Sequence, residues 1–226
     1  MKLQRKYTRY SHRGVIGVES AIVMIAFVIV AAALAFVVLN MGFATTQKTK
    51  QAVISSTAET SSSMQIGGKI MGSGHVSAGK LNATAFPVKI ISGGISINLN
   101  PSNTVIRYFD DNVEHGNIYA GAISSGTFDT LADAMQAAVT AGYISSNPVN
   151  ASTPLETQAI FYFNINRNNN FILDPGEHGM FAIAFEESER PQSLDIIRVE
   201  IILPNGSPTT MERTVPNISS AIVDLG

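Results

Sequence analysis

The chain has 226 residues, enough for one domain with a full core and a segment besides. It holds no cysteine, which excludes a disulfide framework and thiol chemistry. The formal net charge of −2 is unevenly placed: Lys2, Arg5, Lys6, Arg9 and Arg13 precede Gly14, and the remainder carries ten bases against seventeen acids, a balance of −7 that argues against nucleic acid as a partner.

Residues 1–14 are basic and polar with no acid among them. Such a stretch beside a hydrophobic helix is retained on the cytoplasmic side of a membrane. The run from Ala21 to Leu39 has no charge and no proline. At about 1.5 Å per residue it reaches nearly across a bilayer core. Its apolar residues go all round the helix, so the whole surface must be buried, in lipid or in a bundle of like helices. Three readings compete for residues 1–43. One is an uncut signal anchor. Another is a secretory signal cut after Ala33-Leu34-Ala35, against which the run is too long and continues past the small residues. The third is a cut at Gly14–Val15, before the helix, so that the helix stays in the mature chain.

Glu19 sits one turn into this helix. Unpaired in a dry environment, its carboxylate costs several kcal/mol. A cut at Gly14 creates an α-amino group at Val15, which Glu19 of a stacked neighbour can neutralise. A place at headgroup level, favoured by the helix dipole, accounts for it equally well. The helix is expected over residues 15–62. Asn40 and Gly42 are mild interruptions, Thr45 to Gln51 are polar, and Ser55 to Ser63 read as a fraying or turning end.

Residues 63–226 read as a β domain. Phe86–Ile91 and Ile95–Leu99, parted by Ser92-Gly93-Gly94, give a hairpin signal. Thr104–Phe109 and Asn117–Ile123 follow, then the denser runs Ala159–Ile165 and Met180–Phe185. In Asp195–Leu203, Ile197, Val199, Ile201 and Leu203 share one face, and Asn205-Gly206 turns the chain into Thr209–Val215. Thr127–Val139 has helical spacing, with Leu131, Met135 and Val139 on one side, and would cover a sheet end or project between subunits. The expected fold is α+β: a long N-terminal hydrophobic helix, then an antiparallel β-sandwich, immunoglobulin-like in outline.

Arg13-Gly14, the apolar residue after it, and Glu19 at the fifth position after the cut resemble a class III signal of the type IV pilin superfamily. Within it, Glu19–Phe27 and Leu39–Lys50 are similar to an archaellin, the archaeal flagellin. So are Val199–Ser207 and Glu212–Pro216 near the end of the chain. The resemblance is specific over residues 13–51, moderate over 158–226 and absent over 64–157. It implies a leader (1–14) removed by a prepilin-type membrane peptidase, a filament-core helix (15–62), an outer domain (63–226), and torque supplied by a separate membrane motor and platform complex. Many archaellins replace the superfamily's acidic residue, so Glu19 leans towards a pilin, whereas Asn40–Lys48 leans towards an archaellin.

Enzyme signatures are missing: no Gly-rich loop with a following Lys-Ser/Thr, no His-Glu-x-x-His and no Gly-x-Ser-x-Gly. His12, His75, His115 and His178 show no ligand spacing. No catalytic residue, cofactor or metal is assigned. Asn164–Glu177 gathers hard oxygen donors at Asn166, Asn168, Asn170, Asp174 and Glu177, of the kind calcium takes. Its first donors are neutral amides, and Asp174-Pro-Gly-Glu177 suits a type II turn, so a long turn is the preferred reading. Four Asn-x-Ser/Thr sequons stand at Asn82, Asn150, Asn205 and Asn217. Asn82 and Asn150 are expected in loops and favoured for glycosylation.

The reading is a structural subunit of an extracellular archaeal motility filament. It would be a homopolymer built through the N-terminal helix, with a precursor in the cytoplasmic membrane. The alternatives are an adhesion pilin with the same assembly logic, and a membrane-anchored extracellular binding module whose helix stays in lipid.

Overall fold

A computed structural model describes residues 13–61, 64–150, 152–204 and 206–226, with side chains in the first helix described over 17–57. The chain divides into two compact units, Met1–Ile54 and Ser55–Gly226.

The first helix, α1, spans Arg13–Ser61. It runs unbroken through Asn40 and Gly42, and its last turns hold through the Ser/Thr-rich stretch expected to fray. A single glycine costs a helix interior about 1 kcal/mol, too little to break a long cooperative ladder that contains no proline. Thr46 Oγ1 also donates back to the Gly42 carbonyl at 2.8 Å.

The strands of the second unit are β1 (Met64–Ile66), β2 (Met71–His75), β3 (Lys80–Ile90), β4 (Ile97–Asn98), β5 (Val105–Phe109), β6 (Glu114–His115) and β7 (Tyr119–Ile123). After helix α2 (Leu131–Thr140) come β8 (Gln158–Ile165), β9 (Ile172–Leu173), β10 (His178–Ala184), β11 (Ile196–Ile202), β12 (Thr209–Thr214) and β13 (Ile222–Asp224). One sheet runs β13-β2-β3-β10-β8-β7, with β1 also on β3; a second runs β12-β11-β5-β6; β4 and β9 form a small pair. Pairing is antiparallel except between β7 and β8, which are parallel. The result is a mostly antiparallel head built on two main sheets and one small pair.

The predicted hairpin of residues 86–91 with 95–99 does not form. Gly93 makes a turn at φ 84°, and Gly94 N–H reaches the Ile91 carbonyl at 2.8 Å. Both edges of β3 are already occupied there, by β1 (Met64 opposite Ile90) and by β10 (His178 opposite Lys89). The chain therefore leaves the sheet, and β4 pairs with β9, Ile97 opposite Leu173. Pro87 stands where β1 ends and β2 has yet to begin on one edge of β3. It has no N–H to offer, and its carbonyl accepts from Gly67 N–H at 2.8 Å.

The main core lies between the two larger sheets. Phe161 stands edge-on to Phe163 and Phe181, each with ring centroids 4.9 Å apart, and Phe86 and Tyr119 extend the cluster. The opposite sheet contributes Ile106, Tyr108, Ile197, Val199 and Ile201, as the period-two pattern of β11 predicts. A bulge at Asn82 separates Leu81, in this core, from Ala83 and Ala85, on the other face. That outer face is built from small residues (Ala83, Ala85, Ala182, Ala184) with Ile160 and Tyr162. α2 packs there through Ala134, Met135 and Ala138.

α2 is capped at both ends. Thr130 Oγ1 accepts from Asp133 N–H at 3.2 Å and donates to its carboxylate at 2.6 Å. Gly142 at φ 78° donates to Val139, and Tyr143 to Ala138, the paired bonds of a Schellman end. The helix lies against a sheet face rather than a sheet end.

Candidate assembly surfaces and modification sites

α1 has its large apolar side chains in the open from Val18 to Phe43, with Phe27 72% and Phe36 67% exposed. Gly17–Thr57 contains a stretch long and apolar enough to cross a membrane by length and composition. Among the residues with described side chains, none of this surface is buried. Gly14 and Val15 lie in the first turn of α1 and Glu19 is exposed; the leader up to His12 lies outside the described residues.

The sequons divide by environment. Asn82 is inside β3 and only 5% exposed, not in a loop as expected, because the strand begins six residues before the apolar run that announced it. Its Oδ1 is buried without a partner. Asn150 ends a short 3-10 turn (Pro148–Asn150) and is exposed; Asn217 is exposed between β12 and β13; Asn205 lies outside the described residues.

The Asn-rich segment is a self-capped turn. Both oxygens of buried Glu177 accept backbone N–H groups, from Arg167 at 2.7 Å and Asp174 at 3.0 Å. Asn166 Oδ1 accepts from the backbones of Asn168 and Asn169, and Asn170 Oδ1 from Ile172. Asp174 accepts from the Asn168 amide at 2.6 Å and from Ser96. Gly176 at φ 89° closes the turn, with Glu177 N–H on the Asp174 carbonyl at 3.0 Å. The oxygens proposed as cation donors thus serve the turn's own N–H groups. Among the described residues no group of three His, Asp or Glu side chains converges as a metal site.

His115 departs from the expectation of scattered surface histidines. Its Nε2 lies 2.9 Å from Glu189, which also accepts from buried Thr157, and its ring stacks on Tyr108. Tyr108 donates to Asp110 at 3.3 Å; burial pushes this phenol far up and raises the Asp110 carboxyl. Sequence reasoning missed the Glu189 contacts because His115 and Thr157 lie 74 and 32 positions from it in the chain.

A closed, aromatic-packed head joined to a long helix with an entirely open apolar surface defines a structural protein made to assemble. The family model for archaeal-type flagellin matches residues 14–213, and the chain belongs to that family. It is 32% identical over 205 residues to a probable flagellin 1 of Aeropyrum pernix, covering 90% of this chain and 92% of that one. Among solved structures it is similar to the archaeal flagellum of Methanospirillum hungatei (TM-score 0.61, 21% identity, 93% of this chain and 99% of that one). It also matches a flagellin crystal structure from Methanocaldococcus jannaschii (TM-score 0.55, 12% identity, 72% of this chain and 95% of that one). The chain is a structural filament subunit of the archaeal flagellum, and the pilin and anchored-module alternatives give way. Membership of a structural family implies a non-enzymatic role.

Proposed function

We propose that copies of this chain polymerise through α1 into the filament core, residues 15–62, while residues 63–226 form the outer surface. The observation that carries this is the open apolar surface of α1 beside a head whose own core is closed. Where water would otherwise touch the helix, burial contributes about 25 cal/mol per Å². Within lipid that gain is absent, and close packing at small residues such as Ala31, Ala32, Ala33 and Ala35 takes over.

In this reading the precursor sits in the cytoplasmic membrane with its basic leader inside. A prepilin-type peptidase cuts at Gly14–Val15, and Glu19 neutralises the new amino group of a neighbouring Val15. A membrane motor and platform complex supplies the torque, and the filament itself is passive. N-terminal sequencing of protein sheared from the cell surface tests the cut: a start at Val15 is expected, and a start at Met1 or beyond Leu34 overturns it. Glycans are assigned to Asn150 and Asn217, whose exposure suits modification of the folded chain. Peptide masses equal to the bare sequence at both sites would remove them.

A further inference from the structure

Beside α2, the outer face of the seven-stranded sheet carries a groove of about 930 Å³. Its apolar lining includes Met71, Ala85, Leu131 and Ile222, the last 68% exposed. Buried Asn82, whose Oδ1 has no hydrogen-bond partner, lines the same groove. Asp129, exposed at the α2 end, holds no ion pair among the described residues.

The tip of the turn at 166–177 carries the complementary groups. Phe171 is the exposed phenylalanine outside α1 among the described residues, at 43%. Arg167 is exposed, and its guanidinium makes no ion pair there, unlike Arg107, Arg190 and Arg198. Asn169 is held at φ 55°, exposed, with its backbone N–H bound and its side-chain amide free of hydrogen bonds among the described residues. An aromatic ring and an arginine are the residue types that anchor protein interfaces. The self-capping bonds fix the tip beforehand, which lowers the entropy lost on docking. No residue of the tip lines the groove of its own chain.

We propose that the Arg167–Phe171 tip of one copy docks in the Asn82 groove of the next. Phe171 meets the apolar lining, and Arg167 pairs with Asp129. This rests on the homopolymer reading above. Two different surfaces meet, so the contact is head-to-tail and propagates along a helical filament instead of closing into a dimer.

The absence of cysteine makes the test direct. Filaments of the full chain carrying Asn169→Cys with Ser73→Cys, a groove-lining position, are oxidised and run on a denaturing gel. A covalent ladder extending beyond the dimer is expected, with each single variant remaining monomeric. Filaments without a ladder overturn the docking and leave the homopolymer reading standing. Filaments of the unaltered chain that contain no continuous run of this subunit overturn the homopolymer reading instead. The charge pair decides independently, including where the cysteine variants fail to assemble. Arg167→Glu and Asp129→Arg should each lower filament yield about tenfold, and the combined variant should restore it. Single variants with undiminished yield, or a double variant no better than either single, overturn the pairing.

Discussion

α1 and the head solve opposite problems with the same residue types. In α1, Phe27, Val30 and Phe36 are more than half exposed; in the head, Phe86, Phe161 and Phe181 are fully buried. Two sheets facing each other give each apolar side chain a partner within one chain. A lone helix that is apolar all round cannot do this. The head therefore holds its fold by its own packing, and α1 finds its environment only in a membrane or among other copies.

A charge placed in α1 separates the two regions most clearly. Val30→Asp costs about 3 kcal/mol in an apolar surround, about a hundredfold in assembly. Filament yield should collapse while the near-ultraviolet signal of the head is unchanged; an altered head signal would mean that the two regions are energetically coupled. Phe181→Ala should do the reverse, costing the head about 3–5 kcal/mol in a denaturant titration by removing the ring between Phe86, Phe161 and Tyr119.

Alkali offers a third handle on the head alone. Burial raises the phenols of Tyr108, Tyr119 and Tyr162, the last pushed up to about 12. The folded state keeps these protons where the unfolded chain, with tyrosine near 10, has lost them. Stability is therefore full below about pH 10 and falls as pH rises through the window up to the folded values, by up to about 1.4 kcal/mol per phenol per pH unit. Phenolate absorbance of these three should appear together with unfolding and not before it.

Glu177→Ala should cost about 1–3 kcal/mol, because two backbone N–H groups lose their buried acceptor. Hydrogen exchange should locate the change in the 166–177 turn, sparing α1. The smallest effect belongs to Lys69 and Asp224, 2.6 Å apart and exposed. The pairing lowers the Asp224 carboxyl and raises the Lys69 amine. Its contribution is present above the ordinary aspartate range and lost as pH falls through the lowered value. Solvent screening keeps it small. Asp224→Asn should leave the melting curve in moderate salt where it was; a clear shift would mark the β13 edge as a point on which the head depends.

Much of this was legible along the chain. The continuous apolar run announced α1, the alternation of Ile197, Val199 and Ile201 announced β11, and Asp174-Pro-Gly-Glu177 announced its turn. These signals are local, with period and partner within a few residues of one another. The failures have one cause. The glycine-rich turn at 92–94 forms where the sequence puts it, but the strands on either side of it do not pair, because β1 and β10 occupy both edges of β3. Asn82 looked like a loop sequon, yet a strand bulge buries it.

Residue order alone dictates that an all-round apolar helix, sparing in charge and free of proline, must find company outside its own fold. It also determined that the remainder would be a strand-rich domain. Tertiary structure alone decided which strands neighbour which, that α2 lies on a sheet face, and that Asn82, Asp129 and Ile222 line one groove. Periodicity is a property of adjacent residues, whereas strand order and cavities arise from pairings as distant as Ser73 with Ile222, set by which edge is free and which side chain fits.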